Sequence, residues 1–320
     1  MAQNVTGSIP SPLSNGPAIT TSGLTKMYDS WFRGGVKAVD NLSITVERGE
    51  IFGFLGPNGA GKTTTMRILL GLLAPTDGSA TMLGMDVGSQ LPAILARTGS
   101  IIENPTFYPF LSGRENLQLV QKLNQGQVDR VEEMLALVDL TGDATRNFKK
   151  YSLGMKQRLA VAASLLADPD LLILDEPANG LDPAGIVDMR NLMKRLKDAG
   201  KTVFISSHVL AEIEQICDRV AILDRGRVVV QGKMADLLGG DNQVEIAIGE
   251  VERAADILRR LDWVDAVAAQ DGVLVVTAPS ARSWELNKAL AESGLYAAQI
   301  KPREATLEQY FLDVTRGADA

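Results

Sequence analysis

The feature that most constrains the fold is a glycine-rich segment, residues 56–64, which directly follows the short apolar run Ile51–Leu55. Its letters GPNGAGKTT satisfy the pattern GxxxxGK[ST], in which a loop joins a buried strand to a helix. Glycines let the backbone N–H groups point inward, and a helix that begins near Lys62 adds the positive end of its dipole. The segment therefore predicts an α/β fold in which this loop holds the triphosphate of a nucleotide. Lys62 is predicted to reach the β- and γ-phosphates.

A second apolar run of strand length, Leu171–Leu174, ends in the adjacent acids Asp175 and Glu176. A buried parallel strand delivers such side chains to the sheet edge where ligands gather. We expect Asp175 to hold Mg²⁺ together with the Thr63 hydroxyl, and Glu176 to polarise the water that attacks the γ-phosphate. His208, the only histidine in the chain, follows the next predicted strand. The alternatives for these residues are a solvated strand end and a histidine without a catalytic role.

A third segment, residues 151–158 with the letters YSLGMKQR, precedes an apolar helix just ahead of the Asp175 strand. It resembles the signature sequence of the ATP-binding subunits of ABC transporters, which most members write LSGGQ. Ser152 and Gly154 match the second and fourth positions, where they would offer a hydroxyl and a backbone N–H at a helix N-terminus. Met155, at the fifth position, cannot make the ribose contact expected of a glutamine. The variant is similar to that of ABC exporters of antibiotics and lantibiotic-type peptides.

The resemblance implies ATP as the nucleotide, Mg²⁺ as the metal and a defined set of site residues. The predicted nucleotide-binding residues are Tyr28, Gly56, Pro57, Asn58, Gly59, Ala60, Gly61, Lys62, Thr63, Thr64, Ser152, Gly154 and Asp182. The predicted catalytic residues are Lys62, Glu176 and His208, and the predicted metal ligands are Thr63, Asp175 and Glu103. In this set, His208 resembles the switch histidine that contacts the γ-phosphate. Residues 179–182, which end in Asp182, resemble the D-loop that crosses to a partner subunit.

Two of these residues lie where the chain departs from the family pattern. Tyr28 resembles the aromatic on which adenine stacks, but residues 29–35 look like a small insertion that brings Trp31 and Phe32 as alternatives. Glu103 stands where the family usually carries a metal-sensing glutamine. A third carboxylate near the site would repel metal-free ATP and favour the Mg²⁺ complex. The alternative is that Glu103 faces solvent or the membrane subunit.

Length and composition limit the class of protein and its partners. With 320 residues, 45% of them hydrophobic, the chain exceeds the usual single domain, so more than one domain is expected. A net charge of −7 without a dense Lys/Arg run argues against nucleic acid as a partner. The single cysteine, Cys217, fits a reducing cytosol. No apolar stretch reaches the roughly 18–20 residues of a membrane span, so no direct span is expected.

The pattern along the chain predicts three parts. Residues 1–18, rich in Ser, Pro, Asn and Gly, are expected to form a disordered tail without a signal peptide. Residues 19–238 are expected to form the ABC ATP-binding domain, a mainly parallel sheet with a helical subdomain at about 113–167. A joint at residues 239–242 leads to an α+β accessory domain, residues 243–316, similar to the C-terminal extension of many antibiotic-type ABC ATPases. Its predicted elements are strands at 244–248, 264–268 and 273–277 and helices at 251–261, 284–290 and from 306.

Residues 104–110, which carry three aromatics between two prolines, are predicted to lie on a loop next to the helical subdomain. Aromatic side chains are costly to leave in water. In the family, this surface receives a short helix of the membrane subunit. The alternative is that the aromatics only cap the subdomain.

Taken together, the sequence predicts an α/β P-loop NTPase core of the ABC type with a small α+β C-terminal domain. The expected function is ATP hydrolysis that energises export of a drug, peptide or lipid-like substrate through a separately encoded integral membrane permease, at the cytoplasmic face of the cell membrane. A second ATP-binding subunit, expected to be another copy, would complete each site with Ser152 and Gly154. The alternative is a soluble ABC ATPase that does mechanical work without a membrane. The lack of a second ATP-binding cassette in the sequence argues against it. Intact Glu176 and His208 argue against a non-hydrolysing regulator.

Overall fold

The computed structural model describes most of the chain, and the described residues divide into two compact units between Gly232 and Lys233. The described residues are 16–28, 35–103, 106–123, 129–238, 243–270, 272–302, 306–308 and 310. The predicted tail up to residue 15, the predicted insertion at 29–34 with Trp31 and Phe32, and the predicted joint at 239–242 lie outside them. Ala18, which ends the predicted tail, is described and fully buried, so the folded unit extends at least to this residue.

The first unit alternates strands and helices along the chain. Its strands are β1 (Ile19–Tyr28), β2 (Val36–Leu42), β3 (Thr45–Val46), β4 (Ile51–Leu55), β5 (Asp77–Met82), β6 (Met85–Asp86), β7 (Thr98–Ile101), β8 (Leu171–Leu174), β9 (Thr202–Ser207), β10 (Arg219–Asp224) and β11 (Arg227–Lys233). Its helices are α1 (Lys62–Leu69), α2 (Leu91–Leu95), α3 (Gly113–Leu123), α4 (Val131–Leu137), α5 (Leu153–Leu165), α6 (Pro183–Asp198) and α7 (Leu210–Glu214).

The predicted parallel sheet has six strands in the order β11-β10-β4-β9-β8-β7, of which the run from β10 to β7 is parallel. Every residue of β4 and β8 is buried, because helices cover both faces of such a sheet and leave no solvated side. Phe204 of β9 packs against Phe52 and Phe54 of β4, with ring centroids 5.8 and 5.1 Å apart. This core fixes β9 beside β4, and so places the loops that follow them side by side.

A second sheet of the first unit is antiparallel and was not predicted as separate from the parallel one. It has the order β2-β1-β5-β6, with β3 also paired to β1. The buried Thr21 hydroxyl ties it together, since it donates to Leu42 O and accepts from Ile44 N, both at 3.0 Å. Its long strand β1 mixes buried and exposed residues, whereas the central parallel strands β4, β8 and β9 are buried throughout.

The helical subdomain consists of α3, α4 and α5, which pack against one another. The sequence predicted helices at 115–123, 128–140 and 154–167, and the structure contains all three. Helix α4 is shorter at both ends, whereas α3 begins two residues and α5 one residue earlier than predicted. Helix α4 ends at Leu137 because Asp139 adopts a left-handed φ of 55°, which closes the turn through a bond from Leu140 N to Leu135 O of 2.9 Å. The chain then reaches the signature segment through two single 3₁₀ turns.

The second unit is an antiparallel sheet with helices packed on it, which agrees with the predicted α+β class. Its elements are α8 (Met234–Leu237), β12 (Gln243–Ala247), α9 (Val251–Leu258), β13 (Ala266–Gln270), β14 (Val273–Thr277), α10 (Ser283–Glu292) and β15 (Gln299–Pro302). The strand order is β13-β14-β12-β15. Strand β15 was missed because Lys301 and Pro302 are poor strand formers, although both suit the exposed edge that this strand occupies. Of the predicted last helix, only residues 306–308 and 310 are described.

Candidate nucleotide-binding site

The glycine loop leaves the buried end of β4 and enters α1 at Lys62, as predicted. Gly56 has a φ of 155° and Gly61 a φ of 102°. A Cβ on Gly56 would lie 2.5 Å from Leu223 O, and one on Gly61 would lie 2.2 Å from Ala38 O. Only glycine fits at these two positions, so the first and last glycines of the motif are required by the backbone path itself.

Lys62 is the cation of the loop, and its side chain is buried. Its Nζ donates to Gly56 O at 2.7 Å and to Pro57 O at 3.3 Å, and lies 3.3 Å from Glu176 Oε1. The ammonium group is therefore removed from bulk water and fixed between the loop and a carboxylate. A phosphate group that enters the loop meets a positive charge that has already lost most of its hydration.

Asp175 follows β8 and is buried, with both carboxylate oxygens in hydrogen bonds. Oδ2 accepts from the Thr63 hydroxyl at 2.8 Å, and Oδ1 accepts from the Ser206 hydroxyl at 2.5 Å. Hydroxyl and carboxylate oxygens are the ligands that Mg²⁺ prefers, so the pair Thr63–Asp175 fits the predicted metal. The described residues contain no cluster of three or more His, Cys, Asp or Glu side chains able to hold a metal. Two protein ligands, the Thr63 hydroxyl and the Asp175 carboxylate, suit an ion that takes its remaining ligands from phosphates and water.

Glu176 joins the loop to the only histidine. Its backbone has a left-handed φ of 50°, and its N–H donates to Ser206 Oγ at 2.9 Å. Its Oε2 lies 2.5 Å from His208 Nδ1, while Oε1 faces Lys62. The structure thus brings the three predicted catalytic residues into one contact network. Ser206 was not predicted to belong to this network.

The cavity above the loop has a volume of about 530 Å³ and shows which predicted residues share one site. Its lining consists of Ala38, Asn58, Gly59, Gly61, Lys62, Thr63, Thr64, Glu176, Asn179 and His208. The predicted nucleotide-binding residues that do not line it are Tyr28, Gly56, Pro57, Ala60, Ser152, Gly154 and Asp182. Tyr28 ends β1, is 41% exposed and carries Lys26 Nζ 5.6 Å from its ring centroid.

The signature segment and the D-loop are connected within the chain. Ser152 is the N-cap of α5, where its hydroxyl accepts from Met155 N at 3.3 Å. One turn further, Gln157 Nε2 donates to Asn179 O at 3.2 Å. Asp182 is the N-cap of α6 and accepts from Gly185 N at 3.0 Å. The signature segment and the D-loop therefore each end in a capped helix N-terminus, and the cap fixes the backbone there.

Glu103 has a partner that the sequence prediction did not consider. Its carboxylate forms an ion pair with Arg67 in the last turn of α1, and its side chain is 61% exposed. Glu103 also borders a cavity of about 270 Å³ that Asp175 and Glu176 line. The position next to the predicted metal ligands agrees with the hypothesis, but Arg67 offsets the charge on which the predicted repulsion depends. The metal role of Glu103 stays a prediction.

A second carboxyl lies near His208. Burial raises the pKa of Glu212 on α7, and the Glu176 carboxylate raises it further, while His208 and Arg190 lower it. Glu212 borders a small cavity of about 90 Å³ that Glu176 and His208 also line. The side of the catalytic network that faces away from the loop is thus largely apolar, with Ile186, Met189 and Met193 of α6 among its walls.

The chain matches the sequence model of the ABC transporter family over residues 39–179. It is 41% identical over 303 residues to the bacitracin transport ATP-binding protein BcrA of Bacillus licheniformis, which covers 93% of this chain and 97% of that protein. The daunorubicin resistance ATP-binding protein DrrA3 of Streptomyces coeruleorubidus is 34% identical over 308 residues, with 93% and 96% covered.

Solved structures show the same fold. The ATP-binding cassette MJ0796, in a dimeric post-hydrolysis state bound to ADP and phosphate, matches with a TM-score of 0.62 over 68% of this chain and 98% of its own, at 24% identity. An ATP-binding subunit of an ABC transporter matches with a TM-score of 0.59 over 69% of this chain and 91% of its own, at 29% identity.

The chain therefore belongs to the ATP-binding subunits of ABC transporters, a family of ATP-hydrolysing enzymes. This membership supports hydrolysis over the regulator considered as an alternative. Among the described residues, no helix is long and apolar enough to cross a membrane.

Replacing Lys62 by alanine tests the phosphate loop. Loss of a charge-assisted bond of this kind should weaken ATP binding by about tenfold or more, as measured by titration with a fluorescent nucleotide. Lys194→Ala removes the same charge from an exposed position on α6 and serves as the control. Equal affinities in the Lys62 variant and the control would contradict the assignment.

Replacing Glu103 by glutamine tests the metal hypothesis. Removal of its charge should improve binding of metal-free ATP, by about threefold or more, beyond any change for the Mg²⁺ complex. Arg67→Gln removes the opposite charge and should weaken metal-free binding instead. The measurement is nucleotide affinity with excess EDTA and with excess Mg²⁺. An unchanged ratio of the two affinities in Glu103→Gln would place this carboxylate outside the reach of the metal.

Proposed function

We propose that this chain binds and hydrolyses Mg²⁺–ATP to energise export of an antibiotic-like drug, peptide or lipid-like substrate through a separate membrane permease. The observation that carries the proposal is the position of Glu176, whose carboxylate contacts both Lys62 of the phosphate loop and His208. The names of the relatives, a bacitracin transport protein and a daunorubicin resistance protein, support the class of substrate. Export takes place from the cytoplasmic face, where ATP is available.

Binding begins with an exchange of charge partners. The loop N–H groups and Lys62 receive the triphosphate, so the ammonium group turns from Glu176 toward phosphate oxygens. Thr63 and Asp175 would hold Mg²⁺, which when bound neutralises part of the phosphate charge. Glu176 loses its contact with Lys62 in this exchange and becomes a free base that His208 still orients. Nucleotide binding thus frees the Glu176 carboxylate to act as the base in hydrolysis.

Hydrolysis follows as an in-line displacement. Glu176 orients a water molecule and takes its proton as the water oxygen bonds to the γ-phosphorus and the bond to the β–γ bridging oxygen breaks. ADP and inorganic phosphate are the products. His208 contacts the carboxylate through Nδ1. To donate to the γ-phosphate through Nε2 at the same time, the ring must carry a proton on both nitrogens. Positioning and charge stabilisation supply most of the rate, which suits a fixed, partly buried set of residues.

A complete site requires a second subunit. The cavity above the loop is lined by residues of the loop together with Glu176, Asn179 and His208, but not by Ser152 or Gly154. These two residues lie at the start of α5 and would meet phosphate only from another copy. The dimer reported for MJ0796 supports this arrangement. We therefore propose a homodimer with ATP held between the phosphate loop of one subunit and the signature segment of its partner.

The permease is proposed to dock beside the aromatic loop. Phe107 packs edge-on against Phe148, with ring centroids 5.1 Å apart, so this residue caps the subdomain. Tyr108 and Phe110 remain 51% and 69% exposed. Next to them runs a groove of about 610 Å³ between the edge strand β7 and the helices α3 and α5, with Leu95, Phe107 and Val120 among its walls. The groove has a mixed polar and apolar lining, and Phe107 connects it along the chain to the exposed aromatic pair. Two exposed aromatic rings favour a partner segment that buries them.

Glu176→Gln tests the catalytic assignment. The amide keeps the shape of the carboxylate but cannot take a proton, so turnover should fall about 100-fold or more while ATP still binds. The variant should accumulate as an ATP-bound dimer, detectable by size exclusion with light scattering. Glu132→Gln makes the same change at an exposed pair with Arg114 and is the control. Rapid turnover by the Glu176 variant would show that water is activated elsewhere.

Replacing Tyr108 and Phe110 together by serine tests the docking surface. Basal ATP hydrolysis should persist, because neither residue lines the nucleotide cavity, while co-purification with the permease should be lost. Tyr296→Ser removes an aromatic side chain that is 79% exposed in the second unit, and should leave co-purification intact. If the double variant retains the permease as well as the control does, the exposed aromatic pair is not part of the docking site.

A further inference from the structure

Ser206 connects two residues with different tasks in the proposed reaction. Its hydroxyl donates to Asp175 Oδ1 at 2.5 Å and accepts from the backbone N–H of Glu176 at 2.9 Å. The side chain is fully buried at the end of β9. A serine hydroxyl has one hydrogen to donate, and here it is used by the metal-binding carboxylate. Both hydrogen bonds of the Ser206 hydroxyl are thus shielded from water.

Among the described residues, Ser206 is the one whose side chain bonds to both Asp175 and Glu176. Its position in the sheet explains why. Strand β9 lies between β4 and β8, with Ser206 paired to Phe54 on one side and Ile205 paired to Leu174 on the other. Ser206 is therefore one step beyond the last pair with β8, level with the point where Asp175 and Glu176 leave the sheet. The Ser206 hydroxyl accepts from Glu176 N, where a backbone carbonyl would accept if the pairing of β8 and β9 continued.

The backbone at Glu176 explains why such a bond is needed. Its left-handed φ of 50° is unusual for a residue with a side chain, and such a conformation persists only where neighbouring contacts hold it. The bond from Glu176 N to Ser206 Oγ is a contact of this kind. The turn directs the Glu176 carboxylate toward Lys62 and His208 instead of along the strand.

The second task of Ser206 is to orient the Asp175 carboxylate. Oδ2 accepts from Thr63 and belongs to the proposed metal site, whereas Oδ1 is held by Ser206. A ligand that is fixed through its second oxygen presents the first in one orientation. One hydroxyl therefore sets the orientation of the metal ligand and the backbone of the base together.

We propose that Ser206 is a positioning residue that couples the metal ligand Asp175 to the base Glu176. The inference rests on the proposed roles of these two acids. It requires that loss of the hydroxyl affects the metal-dependent and chemical steps, while metal-free capture of the nucleotide by the phosphate loop remains as it is.

The test compares Ser206→Ala and Ser206→Cys with wild type. In Ser206→Ala, kcat should fall about tenfold or more with KM for ATP changed less than about threefold, as expected when an interaction acts mainly in the transition state. The Mn²⁺ concentration that gives half-maximal stimulation of fluorescent-ATP binding should rise several-fold, and affinity for the same nucleotide in EDTA should stay within about twofold. Cysteine, a weak hydrogen-bonding group of similar size, should lie between alanine and serine in both measurements.

Thr202→Val is the matched control for a purely structural role. Thr202 lies at the other end of β9, is also buried, and its hydroxyl accepts a backbone N–H, that of Gly49, at 3.0 Å. Its loss should lower Tm as Ser206→Ala does, without changing kcat or the metal requirement. The proposal is overturned if Ser206→Ala shows the same Tm loss as the control, with kcat and Mn²⁺ requirement within about twofold of wild type. If wild type and Thr202→Val also fail to hydrolyse ATP, the proposed function is wrong.

Discussion

Parallel pairing of β4, β9 and β8 is the constraint on which the rest of the site depends. Leu55 is level with Ser207, and Leu174 with Ile205, so the three strands end at one edge of the sheet. The phosphate loop, the acids and the histidine follow these ends. The phosphate loop precedes the acids by more than a hundred residues, since Thr63 and Asp175 are 112 positions apart, and the histidine follows 32 residues after Glu176. The sheet brings all three together. The aromatic packing of Phe204 on β4 keeps that alignment rigid.

The sequence predicted most of this edge because the motifs carry their own geometric requirements. A loop pattern after an apolar run can continue only into a helix, and acids after a continuous apolar strand can appear only at its exposed end. Lys62, Thr63, Asp175, Glu176 and His208 were therefore placed correctly relative to one another. Ser152 was likewise expected at a helix start, where the structure has it as an N-cap, and Asp182, predicted only as part of the D-loop, is also an N-cap. Their phosphate and partner contacts remain proposals.

Other features could not be predicted because their signal depends on tertiary contacts. Arg67 gives no sign in the sequence that it pairs with Glu103, 36 residues further along the chain. Ser206 is one of two adjacent serines, and only the register of β9 against β8 shows which one faces Asp175. The separate antiparallel sheet depends on pairing between distant strands, for which short apolar runs carry no information. Strand β15 was hidden by edge-strand residues that resemble a loop.

The hydrogen bond from Gln157 to Asn179 has a consequence for the whole assembly. Helix α5 begins with the residues proposed to complete the partner's site, whereas Asn179 lines the cavity of this subunit's own site. In the proposed homodimer, this one amide would link the two nucleotide sites, and any free energy passed between them would be reciprocal.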